Sequence, residues 1–168
     1  MNIFVLDIDP VKAAQAMDCV RVPKMVTESA QMMASALRRH GATDDQMPLT
    51  KAGKPYKGGY HHHPCTVWAG DSRDNFLWLA DHAISLSGEY TRRFGKTHAC
   101  IIPIADMRDK ALTIPEGELT PFAQAMPDEY KDDDPVVAYR AYYYSKVDSP
   151  GGVHYRHTSP PDWWEVKA

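Results

Sequence analysis

The stretch "PKMVTESAQMMASALRRH", residues 23–40, decides the fold class of this 168-residue chain. Its apolar residues recur at steps of three and four, which is the spacing of one face of an α-helix. Two arginines, a histidine and Gly41 follow, so that cations stand at the negative end of the helix dipole and a glycine ends the helix. The apolar stripe consists of Val22, Val26, Ala30, Met33 and Leu37, widened by Met25, Met32 and Ala36.

Other segments give similar signals. A second long helix is predicted over residues 71–94, where most apolar side chains fall on one side. Two Asp-Pro pairs, at residues 9–10 and 134–135, each give an N-cap followed by a proline in the first turn. Residues 1–6 predict a short extended segment or strand, because residues 3–6 are apolar and β-favouring. We therefore expect four or five helices in a mainly α fold: a single compact helical domain, residues 1–168, with a short extended N-terminal segment.

Composition and charge are those of an ordinary soluble protein. The net charge of −3 lacks the strongly basic balance of indiscriminate nucleic-acid binding. No stretch approaches about 18 consecutive apolar residues, and the start has no basic region of a signal peptide, so no membrane partner is expected. The cysteines Cys19, Cys65 and Cys100 are odd in number and widely spaced. They predict reduced thiols and a cytoplasmic location.

Basic and aromatic residues concentrate in one long loop, residues 41–63, which is rich in glycine and proline and has no periodicity. Long loops in small domains are uncommon and more often functional than not. Cations that can meet phosphates stand beside rings that can stack on bases, which suits DNA or a nucleotide as the partner; the alternative is a merely solvated surface. The predicted binding residues are Lys54, Tyr56, Lys57, Tyr60, His61, His62, His63 and Trp68, extended by Arg92, Arg93 and Lys96 at the end of the later helix.

Lys24 and Glu28 stand four residues apart on the first long helix and would share a face. Such spacing is usually an exposed ion pair. An amine beside a carboxylate is also what a base-excision glycosylase needs to attack the anomeric carbon of a sugar. The terminal amine of Met1 is a second candidate nucleophile, because terminal amines as a class are less basic than lysines. The predicted catalytic residues are Met1, Lys24 and Glu28.

Two His-x-Cys pairs, His63–Cys65 and His98–Cys100, could meet as a zinc site. Structural zinc prefers wider spacings, and buried cysteines behave as small apolar residues, so no metal is predicted. No cofactor is expected either, because the chain carries no dinucleotide-binding, P-loop, zinc-protease or zinc-deaminase motif.

Nearly the whole chain resembles a group of small uncharacterised proteins encoded by tailed phages. This resemblance implies a phage origin and the host cytoplasm as the location, without an activity. The resembling stretches are "MNIFVLDIDPVKAAQ", "VPKMVTESAQMM", "HHPCTVWAGDSRDNFLWL", "GEYTRRFGKTH", "AQAMPDEYK" and "DPVVAYRAYYY".

The same order of features is more remotely similar to the pyrimidine-dimer DNA glycosylases of endonuclease V type, which are small, mainly helical enzymes. Those enzymes place a catalytic glutamate beside their early arginine, where this chain has Val22. The best-known members lose the initiator methionine, whereas a methionine before Asn2 is usually retained. The resemblance implies a helical fold, DNA as partner and Arg21 as a further DNA-binding residue. The shared segments are Arg21, Pro23 and Lys24 early, Tyr60, His63 and Pro64 in the middle, a long helix ending near a basic pair, and a tyrosine-rich end.

The resulting hypothesis is a phage-encoded protein that acts on DNA or nucleotides, most concretely a DNA glycosylase/AP lyase for a damaged or modified base. Met1 or Lys24 would be the nucleophile, Glu28 the carboxylate and residues 54–63 the phosphate-binding loop. The hypothesis requires this loop to lie over the helix of residues 23–40. Two alternatives remain: a non-enzymatic phage protein that inhibits a host DNA-processing factor through its acidic segment, or a small-nucleotide enzyme.

Overall fold

The computed structural model describes residues 1–165, and this range contains six α-helices. The predicted mainly α, compact helical fold is confirmed, with one helix more than the four or five expected. No β-strand forms in the described range, where the β-pairing is one isolated bridge between Leu49 and Pro55. The helices are α1 (Pro10–Ala16), α2 (Arg21–Arg39), α3 (Pro64–Asp71), α4 (Arg73–Phe94), α5 (Ile101–Arg108) and α6 (Pro135–Tyr144).

The two longest helices, α2 and α4, pack against each other, and α1, α3 and α5 pack around them. The stripe predicted for α2 is buried and forms one cluster with the apolar face of α4. Burial of such side chains is the main favourable term in folding, at about 25 cal/mol per Å² of apolar surface. Pro23 lies in the first turn of α2, where no intrahelical partner for its missing N–H is required, so α2 begins before it.

The short helix α5 contains a proline in its first turn. Cys100 is the N-cap of α5, so Pro103 is its third residue. The first turn of a helix has no intrahelical acceptor for its N–H groups, so proline is tolerated there.

The N-terminal segment is extended and buried but does not form a strand. Residues 2–6 are all buried, and Phe4 adopts a left-handed conformation with φ of 39°. The Leu6 N–H donates to the Phe4 carbonyl at 2.7 Å. The chain therefore bends sharply at Phe4 instead of pairing with a neighbour.

The long loop lies against α2, as the hypothesis requires. Ser35 Oγ on α2 donates to the Gly59 carbonyl and accepts from the Gly59 N–H, both at 2.8 Å. Arg38 donates to the Tyr56 carbonyl through Nη2 at 2.9 Å. A Cβ atom at Gly58 would lie 2.3 Å from Ser35 Oγ, and its φ is +81°, so glycine is required there.

No helix in the described part of the chain has both the length and the apolar composition that a bilayer crossing demands.

Candidate active site

The terminal amine of Met1 lies 3.5 Å from Oε2 of Glu28. The Met1 side chain is 1% exposed and that of Glu28 is 15% exposed. Met1 as a whole is partly exposed, so its exposed surface lies on backbone atoms, which include the amine, whereas Glu28 Oε2 is buried. Within residues 1–165, Glu28 Oε2 accepts no hydrogen bond, which makes the contact an ion pair without hydrogen-bond geometry. A carboxylate oxygen in this state can accept a proton or a hydrogen bond from another group.

The bend of the N-terminal segment brings the Met1 amine to Glu28. Asn2 is buried, and its Nδ2 donates to the Ala125 carbonyl at 2.8 Å. Its Oδ1 accepts the N–H groups of Ile3 at 2.7 Å and Phe4 at 3.0 Å. On the other side, Thr66 Oγ1 donates to Met1 Sδ at 3.5 Å.

Lys24 lies on the opposite side of the same carboxylate. Its Nζ is 3.8 Å from Glu28 Oε1, and its side chain is 65% exposed. An exposed pair at this distance contributes little to stability. The structure therefore brings all three predicted catalytic groups together, with the Glu28 carboxylate between the Met1 amine and the exposed amine of Lys24.

His63 completes this cluster from the start of α3. Its Nδ1 accepts the N–H of Cys65 at 3.1 Å, so in the neutral ring the proton is on Nε2. Burial lowers the pKa of His63, the positive Met1 amine lowers it further, and Glu28 opposes them. His63 is therefore close enough to the amine–carboxylate pair for both charges to act on its pKa.

In each of the two His-x-Cys pairs, the histidine ring accepts a hydrogen bond from the backbone N–H of the cysteine. His98 Nδ1 accepts the Cys100 N–H at 3.1 Å, in the same way that His63 binds Cys65. Both cysteines are buried, and burial raises the pKa of Cys65 to about 12. In the described part of the chain, no three His, Cys, Asp or Glu side chains are grouped so that they could hold a metal ion.

Two cavities of about 390 Å³ each flank the amine–carboxylate pair along α2. Lys24, Glu28, Ser35 and Arg39 recur at helical spacing and therefore face the same side of α2. We call the cavity at the start of α2 the lysine cavity; its lining includes Met1, Arg21, Lys24, Tyr142 and Lys146. We call the other the histidine cavity; it is lined by Ser35, Ala36, Arg39, His61, His62, Thr66 and Val67.

Three of the predicted DNA-binding side chains are buried. Trp68 packs in the core against Trp78 and donates to the Thr120 carbonyl. Arg21 is held by Asp18 and Ser149, although it reaches the lysine cavity. The third is Arg93, whose guanidinium donates to Glu89 and to the carbonyls of Met17 and Gln15.

The remaining predicted residues differ in their availability. Lys57 is exposed but paired with Asp44 at 2.8 Å, and Arg92 is paired with Glu89 at 2.5 Å. Tyr56 is half-buried, and burial together with its contact to Cys100 raises its pKa to about 12. The exposed members are Lys54, Tyr60, His61, His62 and Lys96.

Sequence reasoning did not identify the part that α6 and the following turn play in the site. Lys146 Nζ donates to the Tyr142 hydroxyl at 2.6 Å, and both line the lysine cavity with Ser149. The Tyr142 ring stacks on Phe4 with 6.4 Å between ring centroids. The run of tyrosines at residues 142–144 signals aromatic contacts, but the sequence does not indicate which ring faces the N-terminus.

Some acids of the acidic segment, residues 127–135, make contacts within that segment or with the helix that follows it. Asp134 caps α6, with its Oδ1 accepting from Val136 N–H at 2.8 Å. Asp128 pairs with Lys131 at 2.8 Å. The acids of the segment are nevertheless exposed, and the predicted inhibitor surface stays a prediction.

Fold and site together define a class: a small helical domain built around an amine–carboxylate pair, which is the combination that base-excision chemistry uses at a sugar carbon. A family model described as pyrimidine dimer DNA glycosylase matches residues 1–102, well over half of the 168 residues. The chain belongs to this family, and the predicted resemblance to these glycosylases is confirmed. No curated protein and no solved structure matches the chain.

Proposed function

We propose that the protein is a DNA glycosylase with AP-lyase activity, in which the Met1 amine is the nucleophile and Glu28 the catalytic carboxylate. The observation that carries this proposal is the 3.5 Å contact between the Met1 amine and the buried Oε2 of Glu28. Membership of the pyrimidine dimer DNA glycosylase family supports damaged DNA as the substrate.

The reaction follows from the chemistry of a primary amine next to a carboxylate. Glu28 accepts a proton from the Met1 ammonium, and the free amine bonds to C1′ of the damaged nucleotide. The bond between C1′ and the base breaks, and the base leaves with a proton. Opening of the sugar ring then gives an imine between Met1 and C1′. Loss of a C2′ proton expels the 3′-phosphate, and hydrolysis of the imine releases the enzyme.

We assign the nucleophile to Met1 and a supporting role to Lys24. A reacting group is most effective when it is already held in position, and Met1 is held by the contact of its amine with Glu28 and the contact of its sulfur with Thr66. Lys24 Nζ is exposed and free to turn towards a phosphate. We propose that Lys146 at the lysine cavity and His61 and His62 at the histidine cavity contact neighbouring phosphates.

Borohydride trapping tests this proposal, because it reduces an imine to a stable protein–DNA adduct. Oligonucleotides carrying an abasic site, a pyrimidine dimer or a modified base are incubated with four proteins: wild type, Glu28→Gln, Lys24→Met and a form extended by Gly-Ser before Met1. We expect wild type and Lys24→Met to form adducts, and mass spectrometry to locate them on Met1. The extended form should form none, and Glu28→Gln should react about 100-fold more slowly or worse.

The control is thermal unfolding of all four proteins, which separates loss of chemistry from loss of fold. Adducts that persist in the extended protein and disappear with Lys24→Met would move the nucleophile to Lys24. The absence of any adduct with wild type on all three DNAs would refute the lyase.

A further inference from the structure

Tyr60 is an exposed aromatic residue in a strained backbone conformation. Its φ is +54°, a left-handed value that L-residues other than glycine, asparagine and aspartate rarely adopt. Its side chain lies in solvent, with 64% of the residue exposed. Within residues 1–165 the Tyr60 side chain contacts no aromatic ring or cation and makes no hydrogen bond.

The backbone on both sides of Tyr60 is fixed. On one side, Gly59 exchanges two hydrogen bonds with Ser35 Oγ, and Gly58 fits against Ser35 only because it has no side chain. On the other side, the His63 N–H donates to the Tyr60 carbonyl at 3.0 Å. The ring is therefore held outward by a rigid turn and is not the tip of a loose loop.

This turn leads from Tyr60 directly into residues near the groups proposed for catalysis. The residues that follow it, His61 and His62, line the histidine cavity, and the charges of the Met1 amine and Glu28 act on the pKa of His63. Strain that the surrounding structure maintains without any packing gain is characteristic of functional positions.

We propose that Tyr60 inserts its ring into the base stack of duplex DNA, next to the nucleotide that Met1 attacks. This inference rests on the proposed function and adds that the substrate is double-stranded. Attack on C1′ inside a duplex requires the nucleotide to leave its stacked position. An aromatic wedge in the gap replaces part of the stacking that the DNA loses and keeps the duplex open.

The test uses a duplex with an uncleavable abasic analogue and 2-aminopurine as its neighbour, because this base is partly unstacked beside the gap and fluoresces less when a ring stacks on it. Wild type and Tyr60→Phe should decrease the fluorescence, and Tyr60→Asn should not. Tyr60→Asn should also bind the duplex about tenfold more weakly, as expected for the loss of one base–aromatic stack. Leu112→Asn, a change at another exposed apolar residue, is the matched control and should behave as wild type.

Thermal stability distinguishes the wedge from a purely structural role. If Tyr60 only stabilised the fold, Tyr60→Asn would lower the unfolding temperature. Asparagine tolerates left-handed backbone better than tyrosine, so Tyr60→Asn should unfold at the same temperature as wild type or at a higher one. Weaker duplex binding together with unchanged or higher thermal stability supports the wedge. Duplex binding and fluorescence equal to wild type, or binding and thermal stability that fall together, would overturn it.

Single-stranded DNA separates this inference from the proposed function. Tyr60→Asn should trap a single-stranded abasic oligonucleotide as fast as wild type, because no stack has to be opened. If wild type traps no abasic DNA, the Met1 chemistry fails, while the fluorescence and binding measurements still decide for or against Tyr60. If Tyr60→Asn is equally slow on single and double strands, the wedge is refuted and the chemistry remains.

Discussion

Asn2 is the residue that sets the direction of the N-terminal amine. Its side chain holds the bend at Phe4 through two backbone N–H groups and ties that bend to the Ala125 carbonyl. Since a misplacement of about 1 Å can cost about 100-fold in rate, Asn2 matters for reaction although it does not face the substrate.

We predict that Asn2→Leu lowers the rate of imine trapping by about 10- to 100-fold, because the amine is no longer directed at Glu28. Leucine is large enough to keep the initiator methionine in place, which mass spectrometry verifies. Asn2→Asp keeps the Oδ1 acceptor and loses only the donor to Ala125, so its rate should lie between the two. Equal rates for all three proteins would show that Asn2 does not position the amine.

His82 is a buried residue that makes the stability of the protein depend on pH. Within the described residues neither ring nitrogen has a hydrogen-bond partner, and burial lowers its pKa to about 3. The unfolded chain therefore binds a proton below about pH 6.5 that the folded protein does not bind. The stability that comes from keeping His82 neutral is present above that pH and is lost as the pH falls.

We predict that the free energy of unfolding decreases by about 2 kcal/mol between pH 7 and pH 5 on account of His82 alone. Urea titrations at the two pH values measure this difference. His82→Phe keeps a ring beside Trp78 and should remove that part of the pH dependence. An identical decrease in the variant would assign the pH dependence to other groups.

At the scale of elements, the interface between the long loop and α2 shapes one side of the site. Gly58 and Gly59 are adjacent in sequence but differ in their surroundings. A Cβ at Gly58 would collide with Ser35, whereas a Cβ at Gly59 would meet nothing within 4 Å. The two glycines are therefore a matched pair for testing how closely the loop must approach the helix.

We predict that Gly58→Ala destabilises the protein by about 1–3 kcal/mol, from the left-handed backbone and the steric overlap with Ser35. Gly59→Ala should change stability by about 0.5 kcal/mol or less. Urea unfolding measures both, and duplex binding should weaken only with Gly58→Ala. Equal effects of the two substitutions would show that the loop shifts freely on α2.

At the scale of the whole molecule, a net charge of −3 limits how the protein can bind DNA. Many cations are already paired within the chain, as Lys57 and Arg92 show. Binding must therefore depend on a few cations along α2 and on Lys146, and not on a broad basic surface. The dependence of affinity on salt counts such contacts directly.

We predict a shallow salt dependence, with a slope of log affinity against log salt of about −2 to −4. Lys146→Ala should make this slope less negative by about 1 and weaken all sequences alike. Arg108→Gln is the control, because Arg108 pairs with Asp81 and lines neither cavity at the amine. A steep slope that Lys146→Ala leaves unchanged would place the phosphate contacts elsewhere.

The sequence by itself determined the helical elements and one local pair. Apolar spacing located α2 and α4, Asp-Pro pairs located the starts of α1 and α6, and the four-residue step joined Lys24 to Glu28. Each of these relations lies within a few residues, where the helix geometry fixes which side chains are neighbours.

Only the tertiary structure decided the rest of the candidate site. It placed the Met1 amine at Glu28, added Tyr142 and Lys146 to the lining of the lysine cavity, and buried Trp68 and Arg93 among the predicted DNA-binding residues. These outcomes depend on how four distant segments pack against α2. Apolar periodicity predicts which face of a helix is buried, but it does not predict which segment covers that face. Burial of apolar surface lowers the free energy with any well-packed apolar partner.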